Sequence, residues 1–236
     1  MKPRLLNFVW GAAAVLLVAP LAGWSQTGAI SGTVRVVGVV PPPRSLEVNK
    51  NQDVCGETIL ADDVIVANGN VAYAVAFIEG LEGETEPGEH TLTNSNCRFD
   101  PPVQAVMTGS RLVVGNDDDV LHNTHLNLQL GRRSRTVGNW ALSRQGAMVR
   151  ADRALRRPGI IEVECDAHGW MHASIRVFDH PYFGVTAESG AFQIREVPVG
   201  THTIKVWHEV FGELEQMVTV ESGRTASVSF TYALGN

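Results

Sequence analysis

The chain has 236 residues, 44% hydrophobic and 19% charged, a globular composition that excludes a disordered tail or a collagen-like rod. Its formal charge of −6, with no stacking motif beside basic clusters, argues against nucleic acid as a partner. Three cysteines are too few for a disulfide-dense scaffold, so the core must come from apolar burial, and the odd thiol needs its own explanation.

At the start, Lys2 and Arg4 precede an apolar run from Phe8 to Ala22, followed by Gly23, Trp24 and Ser25. This pattern predicts a secretory signal over residues 1–25 with cleavage near Ser25, a retained anchor being the alternative. The run is short for a bilayer and no later segment approaches spanning length, so no transmembrane segment is expected after cleavage. Loss of two basic residues leaves 17 basic against 25 acidic, a charge of −8. Export implies a periplasmic or otherwise oxidising space, in which two cysteines can pair and a third needs protection.

From Gly28 onward the pattern has period two: AISGTVRVVG, VIVANGNVAYAVAFIEG, QAVMTGSRLVVGN, GIIEVECDAH, ASIRVFD, AFQIREVPVG, HTIKVWHE, MVTVESG and SVSFTYAL. Short alternating runs separated by Gly, Pro, Asn and Asp predict an all-β protein of stacked sheets. The sequence Phe178-Asp179-His180-Pro181 precedes a fresh series of strands, which sets an expected boundary between a domain over 26–179 and a smaller one over 180–236. In the smaller one, Phe192, Ile194, Ile204, Val206, Ala226, Val228, Phe230 and Tyr232 share inward faces, and a unit of that size is expected to lean on its neighbour. His208-Glu209 sits in a strand pattern and has no second histidine at helical spacing, so no zinc helix is expected there.

The chemistry concentrates in Cys165-Asp166-Ala167-His168-Gly169-Trp170-Met171. A thiolate, an imidazole and a thioether within seven residues form a soft ligand set that suits copper over magnesium or calcium. Alternation in the preceding run puts Ile161, Val163 and Cys165 on one face and Glu162 and Glu164 on the other, so the thiol points inward. A trigonal copper site needs a second imidazole, and the stretch Asn116-Asp117-Asp118-Asp119-Val120-Leu121-His122-Asn123-Thr124-His125 offers two. Odd spacing places His122 and His125 on opposite faces of a strand. Leu121 is expected to re-enter the apolar layer and favours His122, although a bulge would reverse the parity.

A strand, an Asn/Asp-rich turn, a His-Asn pair and a later Cys-x-x-His-x-x-Met loop resemble the cupredoxins, most closely the amicyanin and plastocyanin type, over residues 28–178. The resemblance implies a Greek-key β-sandwich holding one copper per chain on His122, Cys165, His168 and Met171. It also implies that the Asn123 backbone amide supports the cysteine sulfur and that His168 lies near the surface as the electron exit. Gly169 departs from the proline common at its place in the family. With Cys165 on the metal, Cys55 and Cys97 are left to pair, the alternative being Cys165 bridged to one of them. The run VTAESGAFQIREVPVGTHTIKV resembles the carboxypeptidase regulatory-like domain, which implies a small prealbumin-like β-sandwich and no reaction.

Eight arginines (Arg132, Arg133, Arg135, Arg144, Arg150, Arg153, Arg156 and Arg157) face one acid, Asp152, a local balance of +7. They are either an ordinary solvated face or a basic surface that steers an acidic redox partner. The expectation is a non-enzymatic blue-copper protein passing single electrons from a donor to an acceptor protein. Copper storage or delivery, and a metal-free interaction module, are the alternatives.

Overall fold

The computed structural model describes residues 26–84 and 86–235; the expected signal lies outside them. Over these residues the protein is all-β, with one helix of four residues, Gln52–Cys55. No helix among them is long and apolar enough to cross a membrane.

Two sandwiches carry separate cores. In the first, a four-stranded sheet runs in the order Ala147–Arg150, Arg111–Asn116, Glu89–Ser95, Arg98–Asp100. It faces a five-stranded sheet in the order Arg133–Leu142, His122–Leu130, Gly159–Glu164, His172–Phe178, Val103–Met107. Alternation drives the packing: Leu112 and Val114 from one sheet meet Leu126, Ile161, Val163 and Ile175 from the other, all buried. Cys165 and Met171 belong to the same core at one end.

The second sandwich corrects the expected boundary at residue 180, which does not separate the sheets. Thr27–Val37 pairs antiparallel with Ala191–Pro198 and parallel with Thr225–Ala233. Val75–Ile78 lies between Phe183–Val185 and Gly200–His208, with Gly212–Val220 beyond. Strands from both ends of the chain therefore build this sandwich, and the first sandwich is inserted between them. The physical reason is burial: Ile30, Val34 and Val36 need an apolar cover, which Phe192, Ile194, Phe230 and Tyr232 provide. Gly32 permits the approach, because a Cβ there would lie 2.4 Å from the Phe192 ring. The inward faces expected for Phe192, Ile194, Ile204, Val206, Phe230 and Tyr232 are all found in this core, with Ala226 and Val228 packed against it.

Val75–Ile78 is buried along its whole length because each face has a partner. Ala76 and Ile78 enter the second core, while Val75 and Phe77 meet Phe178 of the first sandwich. Arg176 lies over the Phe77 ring, 4.1 Å from its centroid, and near Phe178 and Trp207.

A third, small element completes the picture. The hairpin of Ser45–Glu47 and Thr58–Leu60 encloses the Gln52–Cys55 turn of helix. A disulfide between Cys55 and Cys97, with Cα atoms 5.6 Å apart, staples it to the first sandwich. Cys165 is the one free cysteine among the described residues.

Candidate metal centre

The antiparallel register His125↔Glu164, Leu126↔Val163 brings the start of the His122–Leu130 strand beside the end of the Gly159–Glu164 strand. His122 is therefore neighbour to Cys165. Along the histidine strand, His122, Thr124, Leu126 and Leu128 are buried while His125, Asn127 and Gln129 are more open, so His122 shares the core parity. A register shift does occur, between Leu126 and Asn127, but it lies downstream of both histidines and leaves their opposition intact. Leu121 does not re-enter the core: it is 46% exposed, and Val120, at 8%, fills that place. His125 points outward to the Asp166 carboxylate (2.9 Å) and the Thr136 hydroxyl (2.9 Å). His125 and two asparagines bonded to Asp166 hold that carboxyl below its usual range.

After Cys165 the chain folds by two successive turns, His168 N–H donating to the Cys165 carbonyl and Met171 N–H to the His168 carbonyl. The spacing of two residues between each pair of the ligand types is what these turns require. They return His168 over Cys165: His168 Nδ1 is 3.7 Å and His122 Nδ1 is 4.0 Å from Cys165 Sγ, and the two Nδ1 atoms are 2.9 Å apart. His122, Cys165 and His168 are all buried and form a group able to hold a metal ion. Met171, 3% exposed, is buried in the core that contains Cys165. Asn123 N–H points at Cys165 Sγ from 3.4 Å, and Asn123 Oδ1 accepts from Ala167 N–H at 3.1 Å, which ties the loop to the strand. His172, next to Met171, turns away and pairs with Glu209 of the second sandwich; that contact raises its pKa despite burial.

The outer nitrogens of both imidazoles are engaged. His122 Nε2 lies 2.9 Å from Asp118 Oδ2, and His168 Nε2 lies 3.0 Å from Asn51 Oδ1. A carboxylate only accepts, so His122 Nε2 carries the hydrogen, and the amide oxygen asks the same of His168. Burial pushes the pKa of both rings down, to about 4 for His168, where the charges of His122 and Lys50 add to the effect. With each Nε2 hydrogen engaged by its oxygen partner, the neutral form of each ring, which burial favours, presents its Nδ1 lone pair to the other ring and to the thiol. Two acceptors at 2.9 Å make no hydrogen bond between them; a cation bound by both would satisfy them. The donor set of two imidazoles and a thiolate fits copper.

Sequence reasoning missed both supporting groups and misplaced one candidate ligand. Asp118, half-buried in the Asn116–Asp119 turn, also accepts from the Asn96 and Cys97 backbone N–H groups at 2.8 Å each. An Asp four residues before His122 was a legible hint; Asn51, 117 residues from His168, left none. His168 is not near the surface as expected. It is fully buried, under Asn51 and against Trp170, whose ring centroid is 4.9 Å away.

No family model matches this chain, and no curated protein does. Among solved structures it is similar to a purple cupredoxin from Nitrosopumilus maritimus, at 16% identity over 37% of this chain and 98% of that one, with a TM-score of 0.32. Auracyanin A, a blue copper protein from Chloroflexus aurantiacus, aligns at 13% identity over 39% of this chain and 100% of its own, with a TM-score of 0.33. A methionine-to-alanine mutant of amicyanin in the Cu(I) form aligns at 17% identity over 44% and 98%, with a TM-score of 0.32. These likenesses are to fold, and each covers less than half of the chain. They do not support the resemblance of the C-terminal strands to a carboxypeptidase regulatory-like domain.

Proposed function

We propose that the protein is an exported type 1 copper protein that passes single electrons between redox proteins and catalyses no reaction of its own. The observation that carries this reading is the pair of buried imidazoles whose Nδ1 atoms turn toward one buried thiol. His122 Nδ1, His168 Nδ1 and the Cys165 thiolate would hold one copper, with the Met171 thioether as a weak fourth donor. Bound there, copper supplies a one-electron couple between Cu(I) and Cu(II).

The chain's own residues do the rest. Asp118 fixes the tautomer of His122, and the Asn123 amide stabilises charge on the sulfur. Burial of all three donors keeps water off the site and limits reorganisation between oxidation states. Coordination also protects the one free thiol in an oxidising space. Copper delivery is the weaker alternative, because the donors lie under a cover rather than at an open rim.

The eight arginines between 132 and 157 are all exposed. Arg150 is engaged by Glu89 and Asp152. This surface suits an acidic donor or acceptor, whose encounter it would accelerate at low salt.

Titration of purified protein with Cu(II) tests the reading. One equivalent should raise an intense visible thiolate-to-copper band that bleaches on reduction and returns on oxidation, and Cys165→Ser should abolish it. Met171→Leu should keep colour and raise the reduction potential, since the lost donor favours Cu(II). A colourless, redox-silent adduct of the wild type would refute the assignment.

A further inference from the structure

The segment between the hairpin strands Ser45–Glu47 and Thr58–Leu60 does something the copper reading alone does not require. Asn51 stands at the N-cap of the Gln52–Cys55 helix, where an Asn side chain usually accepts a backbone N–H of the first turn. Here it makes no such bond. Its backbone is left-handed, with φ 55° and ψ 40°, a conformation that Asn tolerates better than most residues. The carbonyl of Asn51 accepts from the N–H groups of Val54 and Cys55, so the turn closes tightly around it. The side chain is thereby released from capping and aimed at His168 Nε2.

Both ends of the disulfide lead to the site. From Cys55, the helix runs back to Asn51 and so to His168. Cys97 lies in a two-residue turn with Asn96, both with positive φ (55° and 53°), and the two N–H groups of that turn converge on Asp118, the partner of His122. The Cys97 carbonyl accepts the Trp170 indole N–H at 3.1 Å, and Trp170 packs on the His168 ring. The hairpin and its enclosed helix, residues 45–60, form a strap whose Val48 and Ile59 pack with Cys97, Cys55 and Trp170 in a small core of their own. The strap is therefore packed onto the ligand loop.

We propose that Asn51 is a positioning residue for His168 and that the disulfide-stapled strap carrying it is a cover that closes the outer edge of that ligand, so that copper is retained by a contact made from outside the ligand sandwich. Asn51 holds the His168 tautomer in which Nδ1 faces the thiol, and it occludes the one imidazole edge that faces away from the core. Copper leaves when the strap lifts, and an electron crossing at this edge passes through the Asn51 side chain. The metal half of this inference rests on the copper reading; the occlusion half does not.

Two substitutions separate the side chain from the backbone it sits on. Asn51→Gly suits the left-handed conformation and deletes the side chain alone, and Asn51→Asp keeps an acceptor in place. In metal-free protein, acylation of His168 by diethyl pyrocarbonate, read by peptide mass, should be slow in the wild type and in Asn51→Asp, and at least about tenfold faster in Asn51→Gly. In copper-loaded, reduced protein, loss of Cu(I) to a chelator should be about 10- to 100-fold faster in Asn51→Gly, the range expected when a partner of a ligating histidine is removed. Asn51→Asp should stay near the wild type. If His168 of the wild type is acylated as fast as in Asn51→Gly, or if both lose copper at one rate, the cover is refuted. A wild type that shields His168 yet binds no copper overturns the copper reading and leaves the occlusion standing.

Discussion

The two sandwiches use burial for opposite ends. The one assembled from strands early and late in the chain has a core mainly of Ile, Val, Phe and Tyr, and Thr186, His180 and His208 are polar residues buried beside it. The inserted one buries Asn94, Asn116, His122, Asn123, Thr124 and His168, most of them clustered at the end where Cys165 lies. Buried polar groups are costly unless every one is bonded. At that end nearly all are: Asn116 Nδ2 donates to the carbonyls of Val120 and Leu142, and Asn94 Nδ2 to the carbonyl of Gly115 and the Thr124 hydroxyl. The exceptions there are Asn94 Oδ1, which has no partner, and the two Nδ1 atoms that face each other. One sandwich thus buries mainly apolar side chains, whereas the other accepts a cluster of polar ones at one end, where the proposed copper would sit.

Substitutions should separate these roles. The largest effect on stability is expected in the apolar sandwich, where Phe230→Ala removes a ring packed beside Val34 and should destabilise the protein by about 3 to 5 kcal/mol, measured by urea unfolding. Any copper band should keep its position, and a band that shifts would show that the two cores are coupled. Replacing both Cys55 and Cys97 by Ala frees a loop of 42 residues and should cost about 4 kcal/mol in the chain-entropy model. Unlike Phe230→Ala, this change should also disturb the site, because it unties Asn51 and Trp170. A double variant that is destabilised but holds copper as tightly as the wild type would sever the disulfide from the ligands.

His208 sharpens the comparison through pH. It is 3% exposed and its Nδ1 accepts from the N–H groups of Val210 and Phe211. Burial pushes its pKa down to about 4 against the opposing charges of Glu209 and Asp63. Between that value and an ordinary histidine pKa of about 6.5 the unfolded chain binds the extra proton, so stability rises with pH. The contribution is complete above about pH 6.5 and is lost as pH falls toward 4, about 3 kcal/mol at full extent. His208→Asn keeps an acceptor and removes the titration, so the fall in stability between pH 7 and 4.5 should be smaller in the variant; equal slopes would contradict the assignment. The smallest effect is expected at His125→Ala, which cuts exposed hydrogen bonds to Asp166 and Thr136 and should leave copper stoichiometry and band position nearly unchanged. Loss of colour there and not at His122→Ala would reverse the ligand assignment.

Local periodicity made the all-β class, the inward Cys165 and the opposition of His122 and His125 legible, because a strand's period of two is a property of the chain at short range. The same periodicity located most of the strands near the C-terminus and their apolar faces. It carried no information about which strand each face would meet. Thr27–Val37 runs parallel to Thr225–Ala233 because two apolar faces some two hundred residues apart bury each other, and no local pattern encodes that choice. Leu121 failed for a related reason, since turn geometry and not alternation decides which residue leaves the Asn116–Asp119 turn inward. His168 is the clearest case. The motif supplied the residue and its spacing from Cys165, but its burial comes from Asn51 and the strap that a disulfide holds over it. Ligand types and their order are written in the sequence as chemistry; what closes over them depends on contacts between distant segments, which only the tertiary fold brings together.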